Sequence, residues 1–554
     1  MSSPITNNLT HASRAQQHGN SFEIATYEIA SPTILTEVSN PEILGYAFST
    51  WKKWKILIVV FLVQCSMNFN TSLYSNGQKG ISKEFGVSEQ DARSGAGLFL
   101  VLYAFGCELW APWSEEIGRW IILQLSLFLV NLAAIPVAIG PNFATILAFR
   151  CLGGLFSAGG SITLGIVADM YRANDQQYAV AFVVLASVGG SIFGPIIGGF
   201  VEEHLAWRWS IWLQILVGLV VQLLHAFIVP ETRTTSLLNA HAEKLRKQTG
   251  NDNIVGPSEG ESWRERLPPK KVMQIWIRPF KMFVTEPIVL ALSLLSGFSD
   301  ALIFMGFQSF RLVYGLWNFG PPALGLTFIA IGLGYLLAYA TFIGAIRKNI
   351  KMRQRKPDSE FAMFESRLWW MCYTAPCLPI GLVLFAWFSD SLTFHWILPV
   401  IATAIIGVAN FAIYMGTIDY MVAAYGEYSA SATGGNGFAR DLLAGVLTWA
   451  AIPYYEAFKS NPDTAMFHLQ IANTVLAAVA FLLVAAAMSI YFCGKNLRHK
   501  SKMAERLHDD ASTSSRSSHR QGAGVYPHHT PQSSSSTSPA PRTTVPCRLA
   551  GQQR

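Results

Sequence analysis

Apolar residues in this chain come in blocks, and the blocks are too long for a soluble core. Twelve of them match the length of about 20 residues that an α-helix needs to cross a bilayer. They are 54–73, 92–112, 120–140, 143–170, 177–203, 208–229, 285–310, 319–345, 367–388, 395–424, 430–454 and 466–492. Charged residues are only 14% of the 554, against about 25% in soluble chains. An all-α membrane protein with twelve transmembrane helices is predicted. Several blocks exceed what a straight crossing needs, so tilted or broken helices are expected.

Basic residues orient the spans. Arg233, Lys244, Arg246, Lys247, Arg264, Arg266, Lys270, Lys271, Arg278 and Lys281 fall in 230–284. Arg347, Lys348, Lys351, Arg353, Arg355 and Lys356 fall in 346–366. The alternate loops carry almost none, so both basic loops and both termini are expected in the cytosol. Segment 230–284 splits the spans six and six, an arrangement secondary transporters use around a midplane site. The expected organisation is a disordered cytosolic start (1–50), a six-helix bundle (51–229), a cytosolic linker (230–284), a second bundle (285–494) and a disordered tail (495–554). Asn70-Thr-Ser72 would place a glycosylation sequon at the outer end of the first span. The seven cysteines form no C-x-x-C and no Cys/His cluster, so no metal or disulfide framework is read. The net charge of +7 sits at membrane edges and implies no nucleic-acid partner.

The fifth span holds Ala186, Gly190, Gly194 and Gly198 at four-residue spacing, with Pro195 and Gly199 among them. On a helix these positions form a strip with almost no side chains, which lets a neighbour approach closely. Pro195 lacks an N–H and crowds the Ser191 carbonyl, so a kink or loosening is expected. The alternative is tight packing alone. Between spans two and three, Glu115 precedes Gly118-Arg119. Gly118 suits a tight turn, and Glu115 is placed to face a helix N-terminus as a latch that one conformation makes and another breaks.

Charges inside spans are costly and call for a reason. Arg150 lies in span four, Glu108 late in span two, Asp300 in span seven, and Arg440-Asp441 in span eleven. Glu108 reads either as a proton-coupling acid or as a hydrated group near the cytosol. Phe304 and Phe307 share the helix face of Asp300, which suits a cationic or amphipathic substrate. An ion pair of Asp300 with Arg440 or Arg311 is the competing reading. Arg440 and Asp441 are adjacent and are expected not to form one simple pair. His225 reads as a packing or interface residue.

Motifs along the chain carry a resemblance. G-x-x-x-G-P-x-x-G-G (190–199), Trp-Ala-Pro-x-Ser-Glu-x-x-Gly-Arg (110–119), Ala-Asp-Met-Tyr (168–171), Trp-Arg-Trp (207–209), Pro-Glu-Thr-Arg (230–233), Arg-Pro-Phe-Lys-Met-Phe-x-Thr-Glu-Pro (278–287) and Tyr425-Gly-x-Tyr-Ser-Ala-Ser-Ala432 are all present. Together they resemble the fungal drug:proton antiporter-1 group of the major facilitator superfamily, near the polyamine and multidrug exporters. Ala111 and Trp120 depart from its pattern, as does Ala423, where an Asp is common. The resemblance implies the major facilitator fold and proton-driven export by alternating access. It implies a proton-transfer role for Arg150 and matches Arg440 to an arginine common in the group.

The resulting expectation is a carrier, not an enzyme, that exports a fungal secondary metabolite or toxic drug in exchange for protons. The coupling candidates are Arg150, Glu108, Asp300 and Arg440. A polyamine antiporter, an uncoupled facilitator and a non-transporting membrane sensor are the alternatives. No nucleotide-holding G-x-x-x-x-G-K-[ST] loop is present, and no cofactor or metal is expected. The expected partners are a small molecule, protons and lipid; the expected state is a monomer in the plasma membrane or, alternatively, the vacuolar membrane.

Overall fold

The computed structural model describes residues 33–501, apart from 158, 173–174, 260–267, 357–358, 390–393 and 461–466. Helices follow the apolar blocks in order. The first half has α1 (Thr50–Phe85), α2 (Glu89–Glu116), α3 (Arg119–Ile139), α4 (Phe143–Phe156), α5 (Gly159–Met170), α6 (Gln176–His204) and α7 (Arg208–Ile228). Then come α8 (Thr234–Thr249) and α9 (Pro269–Thr285). The second half has α10 (Pro287–Tyr314), α11 (Pro321–Arg355), α12 (Glu360–Met363), α13 (Trp369–Thr374), α14 (Cys377–Phe388), α15 (Ile397–Tyr425), α16 (Ser429–Ser460) and α17 (His468–Lys500). The fourth block is a broken span of α4 and α5, and the ninth is broken into α13 and α14, with the short α12 just before it.

Eleven helical stretches among the described residues are long and apolar enough to cross a bilayer. The remaining block, the eleventh (α16), falls short of that apolarity because it carries Asn436, Arg440 and Asp441, all buried. Its polar groups face the protein interior. The helices start where the chain supplies caps. Ser88 and Asp91 form a reciprocal capping box at α2, and Asn142 accepts the Thr145 N–H at α4. Gly86 closes α1 in the left-handed region, at φ 65°.

The end carrying the basic loops is called the basic end below. There the expected disorder of 1–50 gives way to structure from residue 33 on. Thr33–Ile34 pairs in parallel with Ile254–Val255. Leu35 and Leu44 bury against Leu238 and Ala242 of α8, and the Gly45 Cα sits against the Asp169 carbonyl, where a Cβ would come within 2.6 Å. The apolar residues of this short segment have a partner that a scan for long periodic runs does not reveal. The predicted tail lies mostly outside the described residues.

The main joints between the halves are α2 on α16 and α6 on α11. Both contacts use glycine. A Cβ on Gly97 would come within 3.0 Å of the Gly445 carbonyl, and one on Gly445 within 2.7 Å of the Gly97 carbonyl. Helix α6 uses two faces. Gly190, Gly194 and Gly198 press on Cys65, Ser72 and Asn76 of α1, while Gly199 presses on the Pro321 carbonyl and the Pro195 carbonyl meets Gly325 of α11. The helix runs unbroken through Pro195.

Candidate functional site

A concentration of buried charge lies midway along the helices of the second half. Gly297 lets α10 approach the α16 backbone at Ala439. One turn on, that approach brings Asp300 opposite Arg440. Arg440 Nε is 3.6 Å from Asp300 Oδ2, and Arg440 Nη2 is 3.5 Å from Asp441 Oδ1. Both distances exceed the 2.7–2.9 Å typical of direct charge-assisted bonds. The adjacent Arg440 and Asp441 do meet, contrary to expectation, because the long guanidinium folds back along the helix. The Tyr414 ring of α15 supports that pose at 4.1 Å.

Polar groups without partners gather around this arginine. Arg440 Nε and Nη1, both amide atoms of Asn436, Asn410 Oδ1 and the Tyr103 hydroxyl are buried and make no hydrogen bond. Asn436 lies one turn before Arg440 on α16, Asn410 beside Asp300, and Tyr103 beside Asp441 on α2. Leaving a buried donor or acceptor unpaired costs about 1–3 kcal/mol. The cluster lies where α10, α15 and α16 of the second half meet α2 of the first. Glu108 of α2 is buried against α16: a Cβ on Gly434 would come within 2.7 Å of both its carboxyl oxygens. It faces the other half, not solvent.

Arg150 stands apart from this centre. Its Nη1 donates to Asn70 Oδ1 at 2.9 Å and its Nε to the Gly95 carbonyl at 3.3 Å. The Tyr74 and Phe99 rings flank it at 4.3 and 4.1 Å. No carboxylate among the described residues pairs with it, and Nη2 has no partner. Asn70 is buried in α1 on this arginine, so the sequon is not at the outer end of a span. Phe304 is buried among Leu100, Ala301 and Ala444 at the joint of α2, α10 and α16. Phe307, with its ring 5.2 Å away, lines a cavity near the opposite end.

At the basic end, three of the quoted motifs converge. Gly118 turns the chain at φ 130°, and Arg119 begins α3. Arg119 Nε is 3.1 Å from Asp169 Oδ2 and its Nη1 donates to Ser114 Oγ at 2.7 Å. The carboxylate that caps α3 is not Glu115. It is Glu231, which accepts the N–H groups of Arg119 and Trp120 at 3.0 and 3.2 Å. Glu115 is half-exposed and only 3.9 Å from Arg119 Nη2. It lies in the last turn of α2, while Glu231 takes the first amides of α3. Arg233 Nε donates to the Glu115 carbonyl at 2.9 Å. Sequence reasoning quoted Asp169, Glu231 and Arg233 as motif members without joining them; their shared position at the cytosol-facing ends of predicted spans was the available signal.

Contacts cross between the halves at both ends. At the basic end, Asp419 takes Arg367 Nη1 at 2.5 Å and Gln177 Nε2 at 2.6 Å, and Arg353 Nη2 donates to Gln177 Oε1 at 3.1 Å. At the opposite end, Arg311 Nη2 donates to both Glu202 oxygens at 2.7 and 2.9 Å, and Arg93 Nε donates to Gln308 Oε1 at 3.1 Å. Of the two partners expected for Asp300, Arg440 is therefore the one it meets. Beside the Arg311 contacts lies a cavity of about 220 Å³ lined by Lys79, Arg93, Glu89, Glu456 and Phe307 among others. His225 packs at the α3–α7 contact with Gln124 at 2.6 Å.

Comparison with known proteins accords with this architecture. The chain is similar to the ascochitine biosynthesis cluster MFS transporter of Didymella fabae, 27% identical over 470 residues, or 82% of this chain and 86% of the relative. It is also similar to the multidrug transporter FLR1 of Candida glabrata, 28% identical over 471 residues, or 83% and 81%. The proton:xylose symporter XylE shares the fold with a TM-score of 0.55 at 16% identity, over 80% of this chain and 97% of that one. The Major Facilitator Superfamily profile matches residues 57–448. This multi-pass membrane chain, a transporter and not an enzyme, belongs to the Major Facilitator Superfamily.

Proposed function

We propose that the protein exports a small organic molecule, a secondary metabolite or a toxic drug, from the cytosol in exchange for protons. It would do so as a monomer of the drug:proton antiporter-1 group, in the plasma membrane, with its basic end in the cytosol. One observation carries this reading: Arg440 is held loosely between two buried acids, Asp300 and Asp441, amid unpaired polar groups. With both acids ionised, Arg440 leaves one negative charge uncompensated there. A substrate bearing one positive charge, or none, suits that balance better than a polyamine.

Exchange follows from competition. A proton and a cationic substrate both neutralise the same carboxylates, so binding of one weakens the other. The loose Arg440 contacts let the arginine move toward whichever carboxylate remains charged. Such a shift changes what α10 and α16 share, and α16 also holds α2 of the other half. The crossing contacts at the two ends supply the barriers that must open in turn: Gln177–Asp419 on one side and Arg311–Glu202 on the other. Arg150, with no acid beside it among the described residues, supplies a fixed positive potential in the first half and acts on the protonation equilibrium from a distance.

Reconstituted vesicles with an imposed pH gradient test this. Adding cationic amphiphiles should evoke proton movement in the wild type. Asp300→Asn should abolish that movement, Arg150→Ala should lower it at least tenfold, and Glu108→Gln decides whether that acid carries the proton. Substrate flux that ignores the gradient in the wild type would instead make the chain a facilitator.

A further inference from the structure

The basic end of α11 carries charge that none of the contacts above uses. Arg347, Lys348, Lys351, Arg355 and Lys356 line a shallow concavity of about 490 Å³ with Gly344 and Met352. All five cations are exposed, and none joins an ion pair among the described residues. Gly344 opens the floor: a Cβ there would meet nothing within 4 Å.

The placement of this concavity says what it meets. Helix α11 is 35 residues long, or about 52 Å at 1.5 Å per residue, and overshoots a hydrocarbon layer of roughly 30 Å. Leu326, Ile329, Leu333, Leu336 and Leu337 are exposed on its membrane stretch. Helical spacing carries the 333 and 337 stripe on through 344, 348, 351 and 355. An apolar, lipid-facing surface thus runs directly into the cations. Trp369 marks the boundary: Lys348 Nζ lies 4.0 Å over its ring, and its indole N–H donates to Asn349 at 2.6 Å. A soluble anion would use the cations and ignore the leucines. A phospholipid uses both.

We propose that this concavity binds the headgroup of an anionic phospholipid, with a phosphorylated inositol lipid as the best match to five cations, while its acyl chains lie along the leucine stripe. The site has a route to the transport cycle. Arg353, on the buried face of the same turns, donates to Gln177 of α6 across the halves. A lipid that anchors the exposed face of α11 steadies the helix end that makes this contact, and so favours the conformation closed at the basic end. The inference needs only that this end meet a headgroup layer and does not depend on what is transported.

Native mass spectrometry of the full-length protein, released from detergent with phosphatidylcholine, phosphatidylserine or phosphatidylinositol 4,5-bisphosphate, tests it. The wild type should retain the phosphoinositide preferentially. Lys348→Gln/Lys351→Gln/Arg355→Gln should weaken that retention at least tenfold, while Lys348→Arg/Lys351→Arg should keep it. The glutamine variant should melt like the wild type in phosphatidylcholine alone, which separates lost binding from lost folding. Equal phosphoinositide retention by the glutamine variant and the wild type would overturn the proposal. So would equally strong retention of soluble inositol hexakisphosphate, which has no acyl chains and would identify the occupant as a soluble anion.

Discussion

Arg440 balances two buried acids, and removing it should cost more than removing all three charges together. Breaking a buried pair by deleting one partner destabilises by about 3–5 kcal/mol, whereas replacing the whole set with neutral groups of similar shape is often close to neutral. Arg440→Gln is therefore expected to melt well below the wild type in detergent. Asp300→Asn/Arg440→Gln/Asp441→Asn should regain most of the loss and still transport nothing. A thermal unfolding series on the single and triple variants checks both halves of the statement. Much of this cluster was legible from sequence, because a charge inside an apolar block stands out. Asp300, Arg440 and Glu108 were found that way. What was not legible was their geometry. The contact of Arg440 with Asp441 was not expected, since adjacency on a helix does not reveal how an arginine side chain lies. Asn410, Asn436 and Tyr414 were missed because a neutral polar residue in a span gives no signal until its neighbours are known.

Helix α6 shows how a small-residue stripe divides its work. A Cβ on Gly194 would overlap the Ser72 hydroxyl and lie 2.8 Å from the Leu73 N atom, whereas Gly189 faces open space. Gly194→Val should accordingly abolish folded protein in the membrane fraction, and Gly189→Val should express normally, as fluorescence-detected size exclusion would show. Gly199→Ala differs from both. It presses on α11, in the other half, so it should leave folding intact and slow flux by pushing the halves apart at the end opposite the basic loops. The stripe itself, and the order of the apolar blocks, were readable because periodicity over twenty or more residues averages out local accidents, but the ends were not: α1 runs on to Phe85 and α11 to Arg355, past the blocks 54–73 and 319–345. The pairing of Thr33–Ile34 with Ile254–Val255 was not readable. Two residues carry no period, and their partner lies more than two hundred positions away. The α3 cap was misassigned for a related reason: Glu115 is near in sequence, while Glu231 is near in space.

At the scale of the whole molecule, the halves touch at both ends, and a carrier must break one set of contacts at a time. Linking the outer pair permanently should stop the cycle. In a variant with Cys493→Ser/Cys547→Ser, Glu202→Cys/Arg311→Cys treated with a short reducible thiol cross-linker is expected to lose flux, and a reductant should restore it. Flux that survives full cross-linking, judged by mass, would show that this end need not open. The unpaired groups around Arg440 carry a further consequence. When the halves part, the free N–H groups of Arg440, the Asn436 amide and the Tyr103 hydroxyl come into contact with solvent, and each draws in water. Opening is then a hydration step as well as a motion, and its equilibrium responds to the activity of water. Osmolytes too large to enter the cleft should slow the transport cycle in proportion to the osmotic pressure they impose.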